Sequence, residues 1–314
     1  MAEKKIIAIV GATGAQGGGL ARAILEDKSG EFGVRAITRS ADKAKALAAA
    51  GAEVVVADIG DAAAMKKAFD GAYGAFCVTN FWEHFSPEKE QAQVRAMAEA
   101  ARAAGLKHVV WSTLEDTRKR VPLSDGRMPT LGGKWKVPHF DSKGEVDHVW
   151  TDLGVPTTFL LTSFYWENFI HFGMGPKASP DGTLAITFPM GNAKLPGIAA
   201  EDIGRSAYGI FKRGKEMVGK TVGIAGEHLT GEQMAAAFTR ALGKKVVYNE
   251  VTPETYRGFG FPGAEDLGNM FQFKRDFEAQ FTGARDVAKT RELNPRLQSF
   301  DQWLGTNKSR IPAG

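Results

Sequence analysis

The chain has 314 residues, enough for one large or two ordinary domains, of which 43% are hydrophobic, 24% charged and 10% aromatic. That composition excludes a disordered, collagen-like or coiled-coil chain, and the longest apolar runs fall far short of a membrane span. The net charge is only +4, and its lysines and arginines are spread out apart from Arg118-Lys119-Arg120. This argues against nucleic-acid binding and suits a small polyanionic ligand.

The first strand is predicted at residues 6–10, a β-branched apolar run too short for a helix. Residues 1–5 lead straight into it, so no signal peptide is expected and the protein is read as cytoplasmic. Gly11, Gly14 and Gly17 then mark a tight turn into a helix over residues 15–27. The spacing is G-x-x-G-x-x-G, not the more familiar G-x-G-x-x-G. Strand, glycine turn and helix start together make an anion site. Bare N–H groups point outward, the helix dipole favours negative charge, and missing Cβ atoms let a pyrophosphate approach.

The second strand, residues 33–38, ends at Arg39. In dinucleotide-binding folds an acidic residue here holds the 2′-hydroxyl of NAD, and a basic one accepts the 2′-phosphate of NADP. Arg39, with Thr38 and Ser40 as hydroxyl donors and Lys43 a turn further on, therefore predicts NADP(H). An alanine-rich helix (41–50) leads to the third strand (52–57) and Asp58. That carboxylate reads equally well as an acceptor for the adenine amino group or as the cap of a helix over 62–70. The fourth strand, 75–79, contains Cys77, the single cysteine, read as a small core hydrophobe. Ligands of open parallel sheets lie beyond the carboxyl ends of strands. Thr79, Asn80 and Phe81 should thus line the middle of the cofactor, with Trp82, Glu83 and His84 at the pocket edge.

A helix over 88–104 precedes the fifth strand, 108–113, which delivers Ser112 and Thr113. Residues 114–137, rich in Gly and Pro, read as a loop. A helix from Pro138 to about residue 153 and a strand over 155–162 complete a strand–helix alternation. It implies a Rossmann-like, doubly wound parallel sheet with right-handed crossovers in a nucleotide-binding domain of residues 1–162.

Past Ser163 the rhythm changes. Phe164-Tyr165-Trp166 is aromatic, and Ser179-Pro180-Asp181-Gly182, Met190-Gly191-Asn192, Leu195-Pro196-Gly197 and Thr252-Pro253-Glu254 carry loop chemistry. Helices are predicted over 199–212 and, from a capping box at Thr230 and Gln233, to about 242. Strands are predicted over 219–225 and 245–251, and a turn over 258–263. Without an independent sheet rhythm, residues 163–314 read as a smaller C-terminal α/β lobe that returns strands to the first sheet.

His139 and Lys143 are four apart on one predicted helix and share a face. The pair is similar to the Tyr-x-x-x-Lys of short-chain dehydrogenases, with His139 in the tyrosine position. An imidazole there is either a proton donor near neutral pH or a hydrogen-bonded pocket residue without a chemical duty. Lys143 would hold the nicotinamide ribose. Ser112 and Thr113 either orient a substrate or cap the strand end. Phe81, Trp82, Phe164, Tyr165 and Trp166 are candidates for an apolar pocket wall or for core. The six histidines lie apart and there is no C-x-x-C, so no metal site is expected.

Five segments together resemble the NmrA-like family of atypical short-chain dehydrogenase/reductases, with HSCARG-type NADPH sensors as the closest subgroup. They are Gly-Ala-Thr-Gly-Ala-Gln-Gly-Gly at 11–18, Thr-Arg at 38–39, Val-Thr-Asn-Phe-Trp-Glu at 78–83, His-Phe-Asp-Ser-Lys-Gly-Glu-Val at 139–146, and Gly-Phe-Pro-Gly-Ala-Glu-Asp-Leu-Gly-Asn-Met-Phe at 260–271. The resemblance implies that Gly11, Thr13, Gly14, Gln16 and Gly17 cradle the pyrophosphate. Arg39 would meet the 2′-phosphate, Asp58 the adenine side and Lys143 the nicotinamide ribose. It leaves two functions open. One is an NADPH-dependent reductase of a small apolar carbonyl- or quinone-like substrate, with Lys143 positioning the cofactor and His139 or Thr113 supporting the acceptor. The other is a non-catalytic NADPH/NADP sensor that regulates a protein partner, as a monomer or homodimer.

Overall fold

The structure, a computed structural model, describes residues 4–179 and 182–312, so the loop motif expected at 179–182 falls partly outside them. Thirteen strands are formed among the described residues. In chain order they are β1 (Lys5–Val10), β2 (Phe32–Thr38), β3 (Glu53–Val56), β4 (Gly74–Cys77), β5 (His108–Thr113), β6 (Thr157–Leu161), β7 (Phe164–Tyr165), β8 (Lys177–Ala178), β9 (Leu184–Phe188), β10 (Leu195–Ile198), β11 (Thr221–Gly223), β12 (Glu227–Leu229) and β13 (Val246–Glu250).

Seven of them make one all-parallel sheet in the order β3-β2-β1-β4-β5-β6-β11. The order reverses at β1, which places the ligand crevice beyond the carboxyl ends of β1 and β4. Strand β1 shows why the sheet is covered on both faces. Ile7 and Ile9 point into one apolar cluster, and Ala8 and Val10 into another. A strand alternates its side chains, so only a near-continuous apolar run can serve two cores.

The first core is closed by α1 (Ala15–Glu26), through Leu20 and Ile24. The second is closed by α3 (Ala62–Phe69), α4 (Pro87–Ala103) and α6 (Asp147–Asp152), after the short α2 (Lys45–Ala49) and α5 (Pro138–Glu145). Cys77 is fully buried among them, and desolvation pushes its thiol far up. The single helix expected over 138–153 is thus two. Gly144 and β-branched Val146 are weak helix formers, and Val146 leaves helical geometry at φ −101°, ψ 7°. The expected helix over 41–50 shrinks to a 3-10 turn, Asp42–Ala44, followed by α2.

The second half departs further from expectation. After α7 (Asn168–His171) it builds two small sheets of its own, β12-β10-β7 and β13-β9-β8. Leu195-Pro196-Gly197 is strand, not loop. Its partner β7 pairs only with Gly197 and Ile198, so the missing N–H of Pro196 costs no rung on that side. Thr252-Pro253-Glu254 is a helix start: Thr252 accepts from the Thr255 amide at 3.2 Å and Pro253 occupies the first turn of α10 (Pro253–Arg257). Between these lie α8 (Ala200–Arg213) and α9 (Gly231–Leu242), the latter with the capping box of Thr230 and Gln233.

Helix α8 packs on α1 at Gly19 and Gly204. A Cβ on Gly19 would come 2.6 Å from the Glu201 carbonyl oxygen, so neither helix tolerates a side chain there. The chain ends with α11 (Ala264–Asp276), α12 (Glu278–Gly283), α13 (Val287–Leu293) and α14 (Phe300–Asn307). A third apolar cluster, including Phe169, Phe238, Phe271, Phe300 and Trp303, fills this half. No helix among the described residues is long and apolar enough to cross a membrane.

Candidate active site

One cavity of about 1730 Å³ runs along the carboxyl ends of the sheet strands and under the second half of the chain. Gly11, Thr13, Gly14, Gln16, Gly17, Arg39, Lys43, Asp58, Thr79, Asn80, Phe81, Thr113, His139 and Lys143 all line it. The structure therefore brings these residues to one cavity.

At one end the chain turns sharply between β1 and α1. Gly11 has φ +65°, a left-handed value that glycine adopts without strain, and the Gly14 amide donates to the Gly11 carbonyl at 2.8 Å. A Cβ on Gly17 would sit 2.5 Å from the Gly11 oxygen and 3.0 Å from that of Val10. The Gly14 N-cap supplies no side-chain cap, so the first amides of α1 face the cavity without one. Gln16 is 9% exposed and its Nε2 donates to the Tyr165 hydroxyl at 2.5 Å, while its Oε1 has no partner. The nearby Ser163 hydroxyl is likewise buried and unpartnered. Orphaned polar atoms beside an uncapped helix start fit a polar ligand along this wall.

Arg39 stands at the end of β2 as expected. It is mostly exposed and forms an ion pair with Glu83, which lies in the 3-10 turn Phe81–Glu83. The hydrogen bond it donates to the Glu83 carboxylate raises the guanidinium above its ordinary value. Asp58 does not cap α3. Its Oδ1 accepts from the Gly60 amide at 2.7 Å, and Asp61 takes the capping role, accepting from Ala63 and Ala64. His84 lies off the cavity, its Nδ1 accepting from the Ser86 amide.

The middle of the cavity is organised by a carboxylate that sequence reasoning missed. Glu90 of α4 is completely buried. Its oxygens accept from the Thr79 hydroxyl at 2.7 Å and from Ser142, and lie 3.2 Å from the Lys143 ammonium. Lys143 also donates to the Thr79 hydroxyl and rests 4.8 Å from the Trp111 ring centre. Three buried partners thus fix the ammonium at the cavity wall. A helix with three glutamates, Glu88, Glu90 and Glu99, gives no sequence signal for which of them turns inward.

Thr113 lines the cavity, but its hydroxyl donates to Asp147 at 2.7 Å, beside the Trp111 indole N–H at 2.8 Å. Burial pushes the Asp147 carboxyl up to about 6, against the pull of those two hydrogen bonds. Its single proton so committed, Thr113 is left as an acceptor. Asp141 points away from the cavity. It accepts from the amides of Thr117, Lys136 and Val137 at 2.8, 2.8 and 3.0 Å and so staples the 114–137 loop to the start of α5.

His139 is the most organised polar group facing the cavity. Its Nδ1 lies 2.6 Å from Asp266 Oδ1, and its backbone amide donates to Asp266 Oδ2 at 3.2 Å. Both side chains are largely buried. The ring is packed against Trp82, 4.7 Å away, and Phe140, 4.8 Å away. Among the described residues Nε2 has no partner. Asp266 belongs to α11, 127 residues further on, so no spacing in the sequence could show this contact. Of the expected aromatic wall, Phe81, Trp82, Phe164 and Tyr165 line the cavity. Trp166 instead packs with Phe300 and Trp303 in the core of the second half.

A parallel sheet of this order, with a glycine turn entering a helix at its reversal point, defines a Rossmann-like protein with a dinucleotide-type crevice. The chain belongs to the NmrA-like family, whose profile matches residues 3–304. It is 32% identical to the NmrA-like family domain-containing oxidoreductase FrzB of Cladobotryum sp, over 90% of this chain and 86% of FrzB. Its fold matches the crystal structure of NmrA, a negative transcriptional regulator, in complex with NADP. There the TM-score is 0.77 at 26% identity, over 97% of this chain and 95% of NmrA. The triphenylmethane reductase of Citrobacter sp., complexed with NADP(H), shares the fold with a TM-score of 0.76 at 21% identity, over 96% and 99% of the two chains.

Proposed function

We propose that this protein is an NADPH-dependent reductase of a small apolar carbonyl- or quinone-like substrate. The observation that carries the proposal is the His139–Asp266 pair, with Nε2 unpartnered in the same cavity as the glycine turn and Lys143. A regulator needs only the nucleotide site. A histidine oriented by a carboxylate and walled by aromatic rings is what a reaction needs when it delivers a proton to an oxygen.

NADPH, when bound, supplies a hydride. The chain's own residues divide the remaining work. The uncapped amides at the start of α1 bind the pyrophosphate, the glycines at 11, 14 and 17 give it room to approach, and Gln16 and Thr13 complete its polar wall. Arg39 and Lys43 neutralise the 2′-phosphate, and Arg39 exchanges Glu83 for it. Asp58 takes the adenine side, and Thr79, Asn80 and Phe81 flank the middle of the cofactor. Lys143, held by Glu90 and Thr79, positions the nicotinamide ribose. Asp266 fixes the His139 ring, and in the imidazolium form, with Nδ1–H on Asp266, Nε2–H gives its proton to the developing oxyanion and leaves the neutral ring. Thr113, whose proton goes to Asp147, can accept a hydrogen bond from a ligand but has none to give it. Phe81, Trp82 and Phe164 exclude water.

The test is loss of NADPH absorbance with a panel of quinones, enones, ketones and imines. Turnover with at least one class, abolished in Lys143→Ala, supports the reading. Silence across the panel with tight NADPH binding would transfer support to a second reading, a cofactor-sensing regulator. The likeness to the NmrA regulator favours that alternative.

A further inference from the structure

Helix α11 carries a second polar group on the cavity face. Asp266, Met270 and Lys274 follow one another at helical spacing of four, and Met270 and Lys274 line the cavity. Lys274 is 3% exposed. Its ammonium lies 5.5, 5.9 and 5.3 Å from the ring centres of Phe140, Phe271 and Phe281. Among the described residues it makes no hydrogen bond or ion pair. Glu115, the carboxylate whose charge acts on it, is already taken: Arg285 binds it through two guanidinium nitrogens at 2.6 and 2.9 Å. Arg285 also donates to the Thr162 carbonyl and lies 3.6 Å from the Phe281 ring centre, so it is fixed in place. Lys274 is thus a buried amine with aromatic walls, an open cavity in front and no anion of its own.

We propose that Lys274 is an anion subsite, and that the substrate of this cavity is an apolar, aromatic-sized molecule carrying one carboxylate. Three rings stabilise the cation only partly, and a buried charge without a counterion is costly. A carboxylate entering on an apolar body supplies the missing partner and the missing acceptors together. The titration of Lys274 agrees with this. Desolvation lowers it to about 7, helped by the charge of Arg285 and opposed by that of Glu115. Above that pH the free site is neutral, and an arriving carboxylate draws a proton onto the amine. The proposal rests on the reductase reading only in calling the ligand a substrate; binding itself needs no NADPH.

The experiment is calorimetric titration of the full chain with 2-naphthoate and with its neutral counterpart 2-naphthamide. Naphthoate is expected to bind at least tenfold tighter at pH 7, as for a charge-assisted hydrogen bond. In Lys274→Met the two probes should bind alike. At pH 8 the wild type should take up a proton on binding naphthoate, read as heat that varies with the ionisation enthalpy of the buffer. Equal affinities in the wild type, binding of neither probe, or an acid preference surviving in Lys274→Met would overturn the proposal. Should the variant fail to fold, the two wild-type readouts decide. Reduction of neutral quinones without naphthoate preference would leave the reductase reading standing alone. Naphthoate preference without any turnover would leave only the subsite.

Discussion

His139 and Arg39 stand for the two kinds of site residue in this molecule, one locked and one free. His139 is held at both its backbone and its ring by Asp266. Replacing it with Gln should lower turnover by about 10²- to 10⁴-fold while leaving NADPH affinity unchanged, as measured by single-turnover kinetics and calorimetry. Asp266→Asn should reduce turnover in the same direction, because the ring loses its orienting partner. Arg39 is 62% exposed at its side chain and its partner Glu83 43%. Such a pair contributes at most about 1 kcal/mol, so a 2′-phosphate can displace Glu83 readily. Arg39→Asp should weaken NADPH far more than NADH, whereas Glu83→Gln should improve NADPH binding by no more than about fivefold. Equal losses for both nucleotides in Arg39→Asp would remove Arg39 from the phosphate role.

At the scale of elements, the glycine turn and helix α11 make opposite demands. The turn works because nothing fills it. Gly17→Ala places a methyl 2.5 Å from the Gly11 carbonyl oxygen, an overpacking that costs about 1–3 kcal/mol and pushes the turn open. Thermal unfolding should show the loss, and NADPH binding should fall with it. Helix α11 instead carries a charge into an apolar region. Below about pH 7 both the folded and unfolded chain hold the Lys274 proton, and the fold bears the full cost of burying it. Between about 7 and the ordinary lysine value of 10.5 folding releases that proton, so stability rises with pH. In denaturant unfolding, the wild type should gain on Lys274→Met between pH 7 and pH 9. A constant difference would show that burial does not lower the Lys274 ammonium.

For the whole molecule, what could be read from the sequence follows from distance along the chain. The β1–turn–α1 unit, Arg39 and the strands to Leu161 are local patterns of apolar runs, glycines and caps, and they stand where periodicity puts them. The His139–Asp266 contact, the Glu90–Ser142 hydrogen bond and the Arg285–Glu115 pair join residues 127, 52 and 170 positions apart in the chain, and no local signal encodes them. Asp266 was visible as part of the 260–271 segment that resembles the family, but not as the partner of a histidine. Pro196 misled for a related reason: proline signals a loop by its missing N–H, and only the short partner strand β7 makes that loss harmless. The second half builds two small sheets, lends β11 to the main sheet, packs α8 on α1 and reaches α5 through the Asp266–His139 contact.

Every reductase role proposed for the cavity beside the β1–α1 turn depends on its binding NADPH. Calorimetric titration of the wild-type chain with NADPH and NADH tests it directly. One NADPH should bind per chain, more tightly than NADH, with the heat largely lost in Gly17→Ala. A folded wild-type protein that gives no heat with NADPH would contradict it.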